Sequence, residues 1–158
     1  MKRTRLACYL LVFMWTGMNT FFVLAIQTHT VKNLNASSAI AYYNLETNAA
    51  TSADKAWTLS FNRTSIENNT GVTIQVLNQS YDQVLVAPKT GYLNVLEKGS
   101  GNSWYEYDML SHSITPLPQK TIVVKLASGK YVKLEIQRYY KDGKGDSGYY
   151  TFRYEAIK

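Results

Sequence analysis

The 158-residue sequence predicts an all-β protein, a single antiparallel two-sheet sandwich-like domain behind an N-terminal signal segment. Short runs of β-branched and aromatic residues recur along the chain between turn residues. Tyr occurs 13 times and Pro only 3, a balance that favours strands over disorder. Beyond the leader no segment carries a helical apolar period. A chain of this length builds one core, so one domain is expected.

Residues 1–25 read as a signal peptide or N-terminal anchor. Lys2, Arg3 and Arg5 precede an apolar run from Leu6 to Ala25, and Val23-Leu24-Ala25 sets small residues at signal-peptidase spacing. The run approaches the ~20 residues that span a bilayer, which keeps an uncleaved anchor as the alternative; Gly17, Asn19 and two Thr weaken it. Cys8, the only cysteine, lies inside this leader with basic residues before it, unlike a lipid-attachment cysteine, and a lone cysteine builds neither a disulfide framework nor a thiolate zinc site. Residues 26–40, rich in Thr, Asn, Ser and Ala, read as a flexible lead-in without a core.

Strands follow. Ala41 to Leu45 and Trp57 to Phe61 alternate, with Trp57, Leu59 and Phe61 on one face and Thr58 and Ser60 on the other. Asn68-Asn69-Thr70-Gly71 is a turn, and Val72, Ile74 and Val76 share the next face. Ile122, Val124 and Leu126 alternate, Ser128-Gly129 reverses the chain, and Val132, Leu134 and Ile136 alternate again, which predicts a hairpin. The polar loop Lys141 to Asp146 leads to a last strand with Tyr150, Phe152 and Tyr154 on one face. Such faces need a partner sheet, since one apolar face alone stays wet.

The formal charge of +6 includes Lys2, Arg3 and Arg5; without those three cations it is +3, with Lys and Glu interspersed. A charge that mild gives no strong case for a phosphate-tracking groove, so no nucleic-acid partner is expected. Asp108, Ser111 and His112 hold the atoms of a catalytic triad, but a nucleophile elbow, a zinc-binding His-Glu pair and a phosphate-cradling glycine loop are all missing, and the chain is not expected to be an enzyme. Four Asn-x-Ser/Thr sequons, at Asn35, Asn62, Asn68 and Asn78, matter only in a glycosylating pathway.

Several patterns recur in a fixed order: Trp57 to Phe61 followed by Ile66 and Asn68, Tyr81-Asp82 through Ala87-Pro88, Trp104-Tyr105-Glu106-Tyr107, His112 to Pro116, Gly129 to Leu134, Tyr139-Tyr140-Lys141, and Gly148-Tyr149-Tyr150-Thr151-Phe152-Arg153-Tyr154. Taken together, from Tyr42 to Tyr154, the chain resembles the HmuY-like family of exported haem-binding proteins, the haemophores of Gram-negative anaerobes. The resemblance implies that residues 41–158 form the HmuY-like all-β domain. It also implies haem (iron protoporphyrin IX) as bound cargo, iron acquisition through a TonB-dependent outer-membrane receptor, and peripheral membrane association. The expected location is the outer-membrane surface or the extracellular space, with the periplasm as the alternative. A second implication is an exported interaction or adhesion module that has lost haem ligation.

In that family the iron is held by two axial side chains, His in some members and Met in others. His112, within Trp104 to Pro116, is the leading ligand, against the plainer reading of an exposed hairpin histidine. Met109 is the second candidate, against a gap-filling core thioether. Only three residues apart, the two approach a porphyrin from the same side, so at most one is axial. The upstream ligand is expected between Asn78 and Val86, where this sequence has no His or Met, and Tyr81 is the candidate there. His29, in the lead-in, reads as solvated. Trp104, Tyr105, Tyr107, Tyr139 and Tyr140 read mostly as structural aromatics, and Lys141, Lys144 and Arg153 as candidates for the haem propionates.

Overall fold

The computed structural model describes residues 27–158, so the predicted signal segment and Cys8 lie outside the described residues. The strands are β1 (His29–Asn35), β2 (Ala41–Asn44), β3 (Ala49–Thr51), β4 (Leu59–Asn62), β5 (Ser65–Asn68), β6 (Thr73–Leu77), β7 (Tyr105–Asp108), β8 (Ser113–Pro116), β9 (Thr121–Lys125), β10 (Tyr131–Tyr140) and β11 (Ser147–Ile157). They form a five-stranded sheet in the order β1-β11-β10-β9-β6, a four-stranded sheet β3-β2-β4-β5, and a separate hairpin β7-β8. All the pairings are antiparallel. The predicted all-β, two-sheet architecture is the observed one. Among the described residues, no helix is long and apolar enough to cross a membrane.

The β9–β10 hairpin forms where alternation predicts it. Val124 faces Val132 and Ile122 faces Leu134, and Gly129 turns the chain with a φ of +82°, which glycine adopts at no steric cost. The inward faces of the two large sheets meet in an aromatic layer. Phe61 of β4 stacks on Phe152 of β11 at 5.4 Å between centroids and lies 4.8 Å from Tyr150, while Tyr43 of β2 meets Phe152 edge-on at 5.4 Å. Each sheet thereby removes the other's apolar face from water, the main favourable term for both.

The stretch expected as a flexible lead-in is instead built into the domain. β1 pairs with β11 from His29↔Tyr154 to Asn35↔Tyr149, Val31 and Leu34 pack on the core, and Ala36 is fully buried. No alternating pattern marks it because the register shifts between Val31 and Leu34, where Asn33 takes a φ of +53°. A bulged edge strand draws its stability from backbone pairing, which polar residues supply as well as apolar ones.

The Trp57 to Phe61 run also differs from its expected form. The strand begins only at Leu59, Trp57 is half-buried edge-on against Tyr42, and Thr58 and Ser60 are buried rather than solvent-facing. Thr58 Oγ1 accepts the Leu45 N–H at 3.1 Å, which satisfies a buried hydroxyl.

The connection from β6 to β7 covers the outer face of the five-stranded sheet. It makes one 3-10 turn at Tyr81–Gln83, bonds Ala87 N–H to the Lys158 carbonyl at 2.7 Å, and returns to the β6 edge through paired Ile74–Leu93 backbone bonds of 2.9 Å. Tyr81 and Val84 are buried beneath it.

Candidate functional site

The β7–β8 hairpin carries two of the three candidate ligands. Its ladder runs from Tyr105↔Pro116 to Asp108↔Ser113, which leaves Met109 to His112 as a four-residue loop. Asp108 Oδ1 accepts the Leu110 N–H at 2.7 Å and the Ser111 N–H at 3.3 Å. These backbone donors hold its carboxyl below the usual range. His112 closes the loop with a φ of +52°, a left-handed conformation that His and Asn adopt more readily than most residues. The hairpin is anchored to the domain through the Ile114 N–H, which donates to Tyr140 Oη at 2.8 Å. Trp104, immediately before β7, is buried against Tyr139 and Tyr150.

Chain geometry then decides what the tip presents. Met109 is 78% exposed and Leu110 95%, so Met109 is no core thioether. The His112 ring is exposed, and its Nδ1 lies 2.6 Å from Tyr107 Oη. Asp108, Ser111 and His112 make no triad: Asp108 is occupied by the loop amides, and Ser111 Oγ pairs with Ser113 Oγ at 2.7 Å. Beside the hairpin, a 290 Å³ cleft opens between β8 and the end of β10, lined by Ile114, Tyr140 and Arg138 among others.

Tyr81 is elsewhere. It is 2% exposed, and its ring lies against Lys133 and Arg153. Burial, and then the nearby Glu155 charge, push its phenol well above the ordinary range. Lys133 and Tyr140, the β10 residues that touch Tyr81 and the hairpin respectively, are seven positions apart, roughly 23 Å along a strand. Tyr81 is thus fastened at the Lys133 end of β10 and the hairpin at its Tyr140 end, and Tyr81 is buried where His112 and Met109 are exposed.

The remaining candidates also sort by position. Arg153 is held by Glu135 at 2.7 Å and Asp82 at 3.4 Å in the Tyr81 cluster, away from the hairpin. Lys141 lies over the Tyr149 ring at 5.5 Å. His29, expected to be solvated, is half-buried in β1, stacked on Tyr154 at 5.2 Å, and borders a 380 Å³ cavity with Leu45, Leu126 and Val132. It lies there because β1 pairs with β11. Arg138 and the Tyr107–His112 contact were not singled out from the sequence. The second was legible in principle, since a four-residue hairpin loop returns residue 112 to the neighbourhood of residue 107. Among the described residues, no three His, Cys, Asp or Glu side chains cluster as a metal-holding set.

Solved structures share this architecture over most of the chain. The apo form of the Tannerella forsythia HmuY analog, TFO, aligns with a TM-score of 0.63 at 15% identity, covering 84% of this chain and 96% of that one. Apo PinO from Porphyromonas gingivitis aligns with a TM-score of 0.65 at 15% identity, covering 84% and 98%. This chain has the HmuY-like fold. A Bacteroides vulgatus protein described as HmuY-like and heme-binding aligns over 82% of this chain and 90% of its own, with a TM-score of 0.58 at 16% identity. No family model matches the sequence, and no curated protein matches it.

The donor type at the hairpin, an imidazole, is one that would hold a haem iron. The hairpin offers an exposed imidazole with a hydrogen-bond partner on one ring nitrogen, the usual arrangement of a metal-bound histidine. Met109 and Leu110, both apolar and exposed, stand in the same loop. It offers no second ligand from the opposite side.

Proposed function

We propose that this chain is an exported haem-binding protein that takes up haem at the β7–β8 hairpin, with His112 supplying one axial bond to the iron. One observation carries the reading: Tyr107 engages His112 Nδ1 and leaves Nε2 as the outward ring nitrogen. Haem would supply an iron centre open to a neutral imidazole. The chain's own residues bind and orient it. Met109 and Leu110 would shield the porphyrin from water, and Arg138, which lines the adjoining cleft, would be the cation for a propionate. Export to the outer-membrane surface and delivery to a TonB-dependent receptor complete the reading. Export is supported by the basic-apolar leader in the sequence, and the receptor step follows from the HmuY-like resemblance alone.

Hemin titration followed by absorbance tests this. The wild-type protein should give a sharpened, red-shifted Soret band, and His112→Asn should lose it. Asn tolerates the left-handed backbone at this position, so that variant separates ligation from loop strain. A spectrum unchanged by the substitution would remove His112 from the site.

A specific observation favours a second reading, an exported interaction module without haem. The burial of Tyr81 leaves the upstream segment without a ligand, while Met109 and Leu110 form an exposed apolar tip suited to a protein partner. A flat hemin titration of the wild type would select it.

A further inference from the structure

An imidazole can bind iron only through a nitrogen that carries no proton, so something must decide which nitrogen of His112 is bare. At the hairpin the acceptors near Nδ1 are few. The Asp108 carboxylate is engaged by the Leu110 and Ser111 amides, and Ser111 Oγ is paired with Ser113 Oγ. Tyr107 Oη, 2.6 Å away, is the polar group that meets Nδ1 among the described residues.

The two partners are fixed by different parts of the backbone. Tyr107 is held in the β7–β8 ladder opposite Ile114, and Ile114 is tied through its amide to Tyr140 of the main sheet. His112 is held by the left-handed end of the loop. Their contact is therefore set by hairpin geometry.

We propose that Tyr107 is a positioning residue for His112. Its Oη accepts the Nδ1–H, which fixes the imidazole in the tautomer whose Nε2 is bare and strengthens nitrogen donation to the iron. The proton count is that of a neutral imidazole: with Nε2 on the metal, the single ring proton sits on Nδ1. The phenol keeps its own proton, turned outward to solvent, which a residue 39% exposed permits. This inference rests on the haem reading above.

Tyr107→Phe keeps the ring and removes the acceptor. In the purified protein the hemin dissociation constant should rise about 10-fold, the low end for losing such a partner. The Soret band should stay in place, and the ferric/ferrous midpoint potential should move positive, because a less basic imidazole stabilises ferric iron less. A dissociation constant and midpoint equal to wild type, with His112→Asn still losing the band, would overturn the role of Tyr107 and leave the haem site intact. An unchanged His112→Asn titration would remove His112 from the site and overturn this inference with it, and a flat wild-type titration would overturn the haem reading itself. Should Tyr107→Phe unfold the hairpin, the wild-type complex with diamagnetic gallium protoporphyrin decides by NMR. A slowly exchanging Nδ1–H is expected, and a bare Nδ1 refutes the proposal.

Discussion

Lys133 and Tyr81 touch twice: the ammonium lies 4.3 Å from the Tyr81 ring centroid and donates to the Tyr81 carbonyl at 2.9 Å. Lys133 is only 3% exposed and pairs with Glu155 at 3.0 Å, while the Arg153 guanidinium lies 4.1 Å from the same ring. The segment after β6 is thus fastened to the outer face of the five-stranded sheet by buried charge.

Removing one member of that pair should be costly, because the other is left buried and uncompensated. Lys133→Met should lower the unfolding free energy by about 3 kcal/mol in urea denaturation. Adding Glu155→Leu should restore most of it. If the double variant is no more stable than the single one, the pair is not the source of the loss.

The same pair makes stability depend on acid. Burial pushes the Glu155 carboxyl up, but hydrogen bonds from Thr28 and Lys133, together with the Lys133 charge, outweigh it and hold the group below its ordinary 4.5. The folded state then binds fewer protons than the unfolded state near that pH. The contribution is complete above 4.5 and is lost as pH falls through the lower, folded value. Between pH 6 and pH 3, chosen to bracket about one carboxylate titration, wild type should lose stability more steeply than Glu155→Gln. Parallel curves would contradict this.

Tyr81→Phe should change little. The Glu155 carboxylate lies close enough to its hydroxyl to raise the phenol, but the two do not meet at full hydrogen-bond geometry and Glu155 keeps its bonds from Thr28 and Lys133, so the loss should shift stability by less than about 1 kcal/mol. The hemin spectrum should also be that of wild type. A lost Soret band would return Tyr81 to the iron.

Gly148→Ala tests the docking of β1. Gly148 has a φ of +85°, and an added Cβ would lie 2.7 Å from Ser37 Cα and 3.0 Å from Ser37 N, both backbone atoms with little freedom to move. Its carbonyl accepts the Ala36 N–H at 2.8 Å. The left-handed backbone alone costs roughly 1–2 kcal/mol for a residue with a Cβ. Chemical denaturation should show at least that loss, and hydrogen exchange should quicken along β1.

At the hairpin, His112→Val should destabilise more than His112→Asn by about 1 kcal/mol, because β-branched side chains fit a φ of +52° poorly. Comparison of the two thermal midpoints checks it. Equal midpoints would mean the loop relaxes out of the left-handed form.

Where alternation was intact the sequence determined the fold. Ile122 to Leu126, Val132 to Ile136 and Tyr150 to Tyr154 each put every second side chain on one face, and that period imposes a strand, its buried face and the need for a partner sheet. The stretch bearing His112 was singled out only by the family resemblance, because Tyr105 to Pro116 shows no alternation that would announce its hairpin. Pairing, by contrast, was decided only in three dimensions. β1 is an edge strand because β11 offers it a free row of backbone donors and acceptors, and its polar residues give no sign of that. Tyr81 is buried, far from His112, because the β6–β7 connection crosses the sheet over Lys133. The contact of Tyr107 with His112 depends on loop length and one left-handed residue. Side-chain period is a local property that a sequence carries in itself; which backbone edges and which charges meet depends on chain crossings between residues far apart.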